Sequence, residues 1–167
     1  MPVLSKQKLR EHLKNRSFEP VYTLYGSEAF QRDIAAKALV DMAFGEGDLR
    51  DFNEDVFSLN EPTSLKAALA AADQLPMMAA RRVIRMTDVR VAATAQKDTL
   101  KEEFENDLAA YLDDPSPQTV LLFIADELNG NRKLSKLLKS KTAAVEFLHL
   151  EGEELSDWVA RTASEWG

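Results

Sequence analysis

Thr119-Val120-Leu121-Leu122-Phe123-Ile124-Ala125 is a continuous apolar run that follows Pro115-Ser116-Pro117 and is rich in β-branched and aromatic residues. A strand with one face in water alternates polar and apolar side chains, whereas a strand covered by helices on both faces has no need to. The run therefore predicts a central strand of a mainly parallel sheet.

The rest of the chain agrees with a sheet of that kind. Pro20-Val21-Tyr22-Thr23-Leu24-Tyr25 reads as a second buried strand closed by Gly26. Residues 82–86 (Arg-Val-Ile-Arg-Met) and 144–148 read as further strands, and residues 51–57 (Asp-Phe-Asn-Glu-Asp-Val-Phe) as a weaker, alternating one.

Helical patterns lie between these strands. Residues 5–13 place Leu9 and Leu13 at i, i+4 behind a Ser5 N-cap. Residues 28–44 carry Phe30, Ile34, Ala38 and Met42 on one stripe, and Gly45 and Gly47 break the pattern. Residues 64–72 are alanine-rich and helical until Pro76 stops them. Residues 98–112 predict one long helix, residues 131–138 a short lysine-rich one, and residues 151–166 a helix bearing Leu155, Trp158, Val159 and Ala163. Residues 89–97 dissolve into Ala, Thr and Gln and read as a surface loop. Strand and helix in regular alternation predict an α/β fold, a mainly parallel five-stranded sheet with helices on both faces.

Composition narrows what such a domain can do. The chain has 167 residues, 45% of them apolar, enough to bury one core without a covalent staple. It contains no cysteine, which removes disulfide frameworks, thiolate nucleophiles and cysteine-ligated metals, and suits the cytoplasm. The N-terminal Met1-Pro2-Val3-Leu4-Ser5-Lys6 has no apolar signal region, and no stretch approaches the roughly 18 apolar residues of a membrane span. A net charge of −7 disfavours nonspecific affinity for nucleic-acid backbone.

The usual catalytic arrangements are missing. In a parallel sheet the loop after the first strand is the natural phosphate site, because glycine amides and a helix N-terminus meet there. Here it reads Tyr25-Gly26-Ser27-Glu28, with neither G-x-x-x-x-G-K-[ST] nor G-x-G-x-x-G, and Glu28 would repel an anion. His12 and His149 lie in different elements without metal-ligand spacing. The pairs Asp113-Asp114 and Glu153-Glu154 point in different directions on a helix and suit solvent better than acid-base work, and no serine sits in a nucleophile elbow. No cofactor is expected.

Basic residues gather at Arg81, Arg82 and Arg85, and again at Arg132, Lys133, Lys136, Lys139 and Lys141. Lys133, Lys136 and Lys139 fall at i, i+3, i+6 along one helix, which makes them a possible DNA contact, although a solvated face is the simpler reading.

Gln74-Leu75-Pro76-Met77-Met78 is unlike the other connections, because apolar residues crowd a helix-to-strand link. Pro76 denies helix to Leu75, so the two methionines leave the helical register. They either pack under the sheet edge or form an adaptable binding surface, a role that methionine suits.

Those five residues resemble the Gln-Leu-x-Leu-Phe type of short motif by which bacterial proteins bind the sliding DNA clamp. The surroundings extend the resemblance. Pro20 through Phe30 is similar to the P-V-Y-x-L-x-G-x-E-x-F opening of the bacterial DNA polymerase III delta subunit family, a clamp-loader family. Met77 through Arg85 is similar to its L-F-x-x-R-R-x-I-x passage, and Pro115 through Leu122 to its P-x-P-x-T-x-L-L-x passage. The helix around Lys133 and Lys139 and the run Glu154-Leu155-Ser156-Asp157-Trp158-Val159 also have counterparts.

The resemblance implies an AAA+-like domain over residues 1–150 without a functional P-loop, and the start of a truncated helical lid domain over residues 151–167. It further implies a non-catalytic subunit that binds the sliding beta clamp through Gln74, Leu75, Pro76, Met77 and Met78, and that meets gamma/tau and delta prime subunits in the full-length protein. DNA contact is then indirect or weak, and no membrane is involved. The family commonly has Leu-Phe where this chain has Met77-Met78. Outside the resemblance, a degenerate nucleotide-binding domain or a DNA-binding α/β module is the alternative.

Overall fold

A computed structural model describes residues 4–148. Five strands form one sheet: β1 (Val21–Tyr25), β2 (Glu54–Ser58), β3 (Arg82–Val91), β4 (Thr119–Leu128) and β5 (Ala143–Glu146). Their order is β2-β3-β4-β1-β5, and every pairing is parallel. The apolar run of β4 therefore sits in the middle, as its composition requires.

Alternation of side chains splits the core into two layers. On one face Val21, Ile84, Met86, Leu121 and Phe123 pack under α4 (Ser64–Ala72), α5 (Glu105–Asp113) and α6 (Lys133–Lys141). On the other, Tyr22, Leu24, Val83, Leu122 and Val145 pack under α1 (Lys6–Lys14) and α2 (Ala29–Ala43). Ser5 caps α1 as expected, its hydroxyl accepting from the Lys8 amide at 3.0 Å. Fully burying a leucine- or phenylalanine-sized side chain contributes roughly 1.5–3 kcal/mol. Interior residues such as Leu24, Ile84, Leu121 and Phe123 therefore dominate the stability.

Several boundaries differ from the sequence expectation. The strand over 82–86 runs on to Val91, so the first part of the loop expected over 89–97 is strand, and Val89 and Val91 are fully buried. Polar Thr87 and Asp88 hid this continuation. Asp88 takes a left-handed φ of +57 and the register slips there, a bulge that resets the alternation.

The single helix expected over 98–112 is instead a turn, a short 3-10 segment at Glu102–Phe104 and then α5. Its first residue, Asp98, is buried by a long-range ion pair with Arg132 at 2.6 Å, and it accepts from the Ala92 amide at 2.9 Å. The strand expected over 51–57 begins as one helical turn, α3 (Arg50–Asn53), before β2. The helix expected over 131–138 lies at Lys133–Lys141, and the last strand ends at Glu146 rather than 148. The helix expected over 151–166 lies outside the described residues.

Candidate functional site

At residues 73–80 the chain leaves α4 and crosses to β3 without regular structure. Pro76 bars further helix. The crossing puts three apolar side chains into solvent: Leu75 is 74% exposed, Met77 55% and Met78 78%. Of the two readings open from sequence, packing under the sheet edge is not what the fold does. Gln74 is exposed beside them and Pro76 half-buried.

This tip is braced at both ends. The Thr119 hydroxyl, buried at the start of β4, donates to the Ala72 carbonyl at 2.8 Å and so ties the last turn of α4 to the central strand. Asn53, wholly buried, reaches across from the end of α3. Its Oδ1 accepts from the Met77 amide at 2.6 Å, and its Nδ2 donates to the Met77 carbonyl at 2.8 Å and to the Leu49 carbonyl at 2.7 Å. Beyond Met77, Met78 adopts a left-handed φ of +54. Non-glycine residues occupy that region only when surrounding structure holds them there.

Arg82 fixes the α3 turn in its place. It is buried, donates to the Phe52 carbonyl at 3.2 Å and pairs with Asp55 at 2.9 Å. Arg50 adds a second tie by bridging Asp41 on α2 and Glu54 on β2. Burial alone would raise the Asp41 carboxyl, but Lys37 and Arg50 beside it bring it below its ordinary range. The turn also exposes Phe52, and the edge strand β2 exposes Val56. Sequence reading missed Asn53 and Phe52. Their signal was an asparagine inside an apparent strand, a residue type that strands disfavour.

Most of the basic groups have partners within the protein. Arg85 pairs with Glu54 at 2.9 Å, and Arg81 donates to the Ala43 carbonyl and lies 4.5 Å from the Phe18 ring centroid. Lys133 faces Glu105 at 3.5 Å, Lys141 faces Asp113 at 3.8 Å, and Lys139 lies 4.9 Å from the Tyr25 ring centroid. Lys136 is exposed without an ion pair among the described residues. Lys133, Lys136 and Lys139 share a helix, on which Lys133 and Lys136 are exposed and the Lys133–Glu105 pair lies in solvent.

The loop after β1 is closed by the protein itself. Gly26 takes φ +129, and a Cβ there would stand 2.2 Å from the Phe147 carbonyl oxygen. Phe147 donates to the Tyr25 carbonyl at 2.7 Å and accepts from the Glu28 amide at 3.1 Å. One amide of this loop, that of Glu28, is thus committed to Phe147. Arg32, buried at the start of α2, donates to the Gly26 and Ala125 carbonyls and pairs with Asp126, locking β1 to β4 at this end of the sheet.

A family model described as DNA polymerase III, delta subunit, matches residues 22–148. The chain is 30% identical over 156 residues to DNA polymerase III subunit delta of Bacillus subtilis, covering 90% of this chain and 44% of the relative. Among solved structures it resembles a Bacillus subtilis DNA clamp loader delta protein, with TM-score 0.77, 25% identity, and coverage of 95% of this chain and 47% of the other. A Thermotoga maritima DNA polymerase III gamma subunit-related protein shares the fold at TM-score 0.56 and 12% identity, matching 93% of this chain and 49% of its own. The chain therefore spans about half or less of each of these relatives.

Proposed function

The chain belongs to the DNA polymerase III delta subunit family, and from that premise we propose that its residues 74–78 dock into an apolar pocket of the sliding DNA clamp. The observation that carries this reading is the exposure of Leu75, Met77 and Met78 on a tip whose backbone is held from two sides. Gln74 orients the contact by hydrogen bonding.

Burying side chains of this size contributes roughly 1.5–3 kcal/mol each, against an association cost of about 4–15 kcal/mol. Three such residues only roughly offset that cost, so they make a modest anchor that relies on further contacts. Exposed Phe52, next in sequence to the Asn53 that bonds Met77, offers further apolar area to the same partner. Met77-Met78 in place of Leu-Phe removes an aromatic ring and adds rotatable bonds, which favours a weaker and more adaptable fit. The clamp opens if the bound domain prefers the opened ring, since a ligand shifts an equilibrium only through differential affinity.

In this reading the subunit is non-catalytic and cytoplasmic and binds no nucleotide, the Gly26 turn being occupied by the Phe147 backbone. ATP hydrolysis belongs to the gamma/tau subunits that it meets, with delta prime, through parts of the full-length protein. Among the described residues no helix is long and apolar enough to cross a membrane.

Replacing both Met77 and Met78 with alanine abolishes capture by purified clamp and leaves the circular dichroism melt unchanged. Capture that survives in the folded double variant would overturn the site assignment.

A further inference from the structure

Asn53 stands apart from the other groups around the tip. It is wholly buried, and two of its three hydrogen bonds go to one residue, the N–H and C=O of Met77. The pair of bonds copies the exchange between facing residues of antiparallel strands, in a segment that has no strand of its own. The next residue, Met78, holds a left-handed backbone that a free loop would abandon. The grip therefore falls on the backbone between the two exposed methionines, while the Asn53 side chain has no exposed surface with which to touch a partner.

We propose that Asn53 is a positioning residue of the tip: it holds Met77 and Met78 in the shape that enters the partner's pocket, so that affinity depends on a side chain outside the contact. This rests on the reading of the tip as a clamp-docking element. Holding a recognition loop in its bound shape improves affinity by lowering the ordering cost of association. If release leaves about one-tenth of the molecules competent, the apparent Kd rises about tenfold. A structural role alone would lower the melting temperature and leave the affinity of the folded molecules unchanged.

The test uses the chain and its Asn53→Ala and Asn53→Asp variants, each titrated with purified sliding clamp well below its melting temperature, with amide hydrogen exchange followed in parallel. Asn53→Asp keeps an acceptor for the Met77 amide but sets a buried carboxylate against the Met77 and Leu49 carbonyls, so it removes the donor half and adds repulsion. Asn53→Ala is expected to raise Kd about tenfold and to speed exchange at the Met77 amide by more than at the β1 and β4 amides, which follow global unfolding; Asn53→Asp does at least as much. Unchanged affinity together with a deprotected Met77 amide would overturn the proposal. If Asn53→Ala does not fold, Asn53→Asp is read by the same two outcomes. Failure of the unaltered chain to bind clamp removes the docking reading and this inference with it, whereas equal binding by chain and variant removes this inference alone.

Discussion

The side-chain amide of Asn53 brackets the backbone of Met77, accepting from its N–H at 2.6 Å and donating to its carbonyl at 2.8 Å. Because Asn53 is fully buried, truncation takes its amide from the Met77 N–H and carbonyl, while the Leu49 carbonyl keeps only the Phe52 amide. Asn53→Ala should lower the unfolding free energy by about 1–3 kcal/mol, the cost of orphaned buried polar groups. Urea unfolding measures it, and an unchanged midpoint at constant slope would show that water replaces the amide freely.

Gly26 meets Phe147 more closely than any side chain allows. Its φ of +129 and the 2.2 Å approach of a Cβ to the Phe147 oxygen both act against Gly26→Ala. The variant should lose about 3 kcal/mol or more, since backbone strain and steric overlap add. A thermal melt within a degree or two of the parent's would mean that the turn relaxes easily.

Asp98 and Arg132 join the segment after β3 to the start of α6. Asp98→Ala leaves the Arg132 guanidinium with only Glu102 among carboxylates and the buried Ala92 amide without its acceptor, and should lower the melting temperature. Hydrogen exchange should quicken over residues 92–104 before it quickens in the sheet. Uniform acceleration across the whole chain would contradict a local clasp.

All three tyrosines of the chain are held neutral by the fold. Burial pushes Tyr22 from 10.0 to about 12 against the hydrogen bond from the Glu19 amide, and burial likewise pushes Tyr111 to about 12. Burial and then the Glu146 charge raise Tyr25. A raised folded-state pKa gives stability that is fully present below the unfolded value and is lost as pH climbs through the folded one. Stability should therefore fall between pH 10 and about 12. Tyrosinate absorbance should rise at higher pH in the native chain than in the urea-unfolded chain; coincident titrations would sink this account.

Legibility in the sequence followed the range of the interactions. The run at 119–125 was readable because the lack of alternation in a doubly covered strand is a local property, and the result is a central β4. The Pro76 break and the Ser5 cap are local too. What escaped reading depends on partners far away in the chain. Asp98 looks like the start of a helix until Arg132, 34 residues on, buries it in an ion pair. Asn53 looks like an unfavourable strand residue until Met77, 24 residues on, takes both of its hydrogen-bonding groups. The continuation of β3 was hidden by a polar bulge at Thr87 and Asp88, whose return to the core at Val89 and Val91 only the neighbouring strand dictates. At the tip, the residue types were legible, whereas the choice between core and solvent rested on how α3 and β4 hold it.

The central claim is that residues 74–78 occupy a pocket on the sliding clamp. A competition titration tests it most directly: purified clamp carrying a labelled peptide of the Gln-Leu-x-Leu-Phe type is titrated with the chain and, separately, with the chain bearing Met77→Ala and Met78→Ala. The account predicts that the chain displaces the peptide and the double variant does not. Clamp that holds peptide and chain together, or that loses the peptide equally to both proteins, would contradict it.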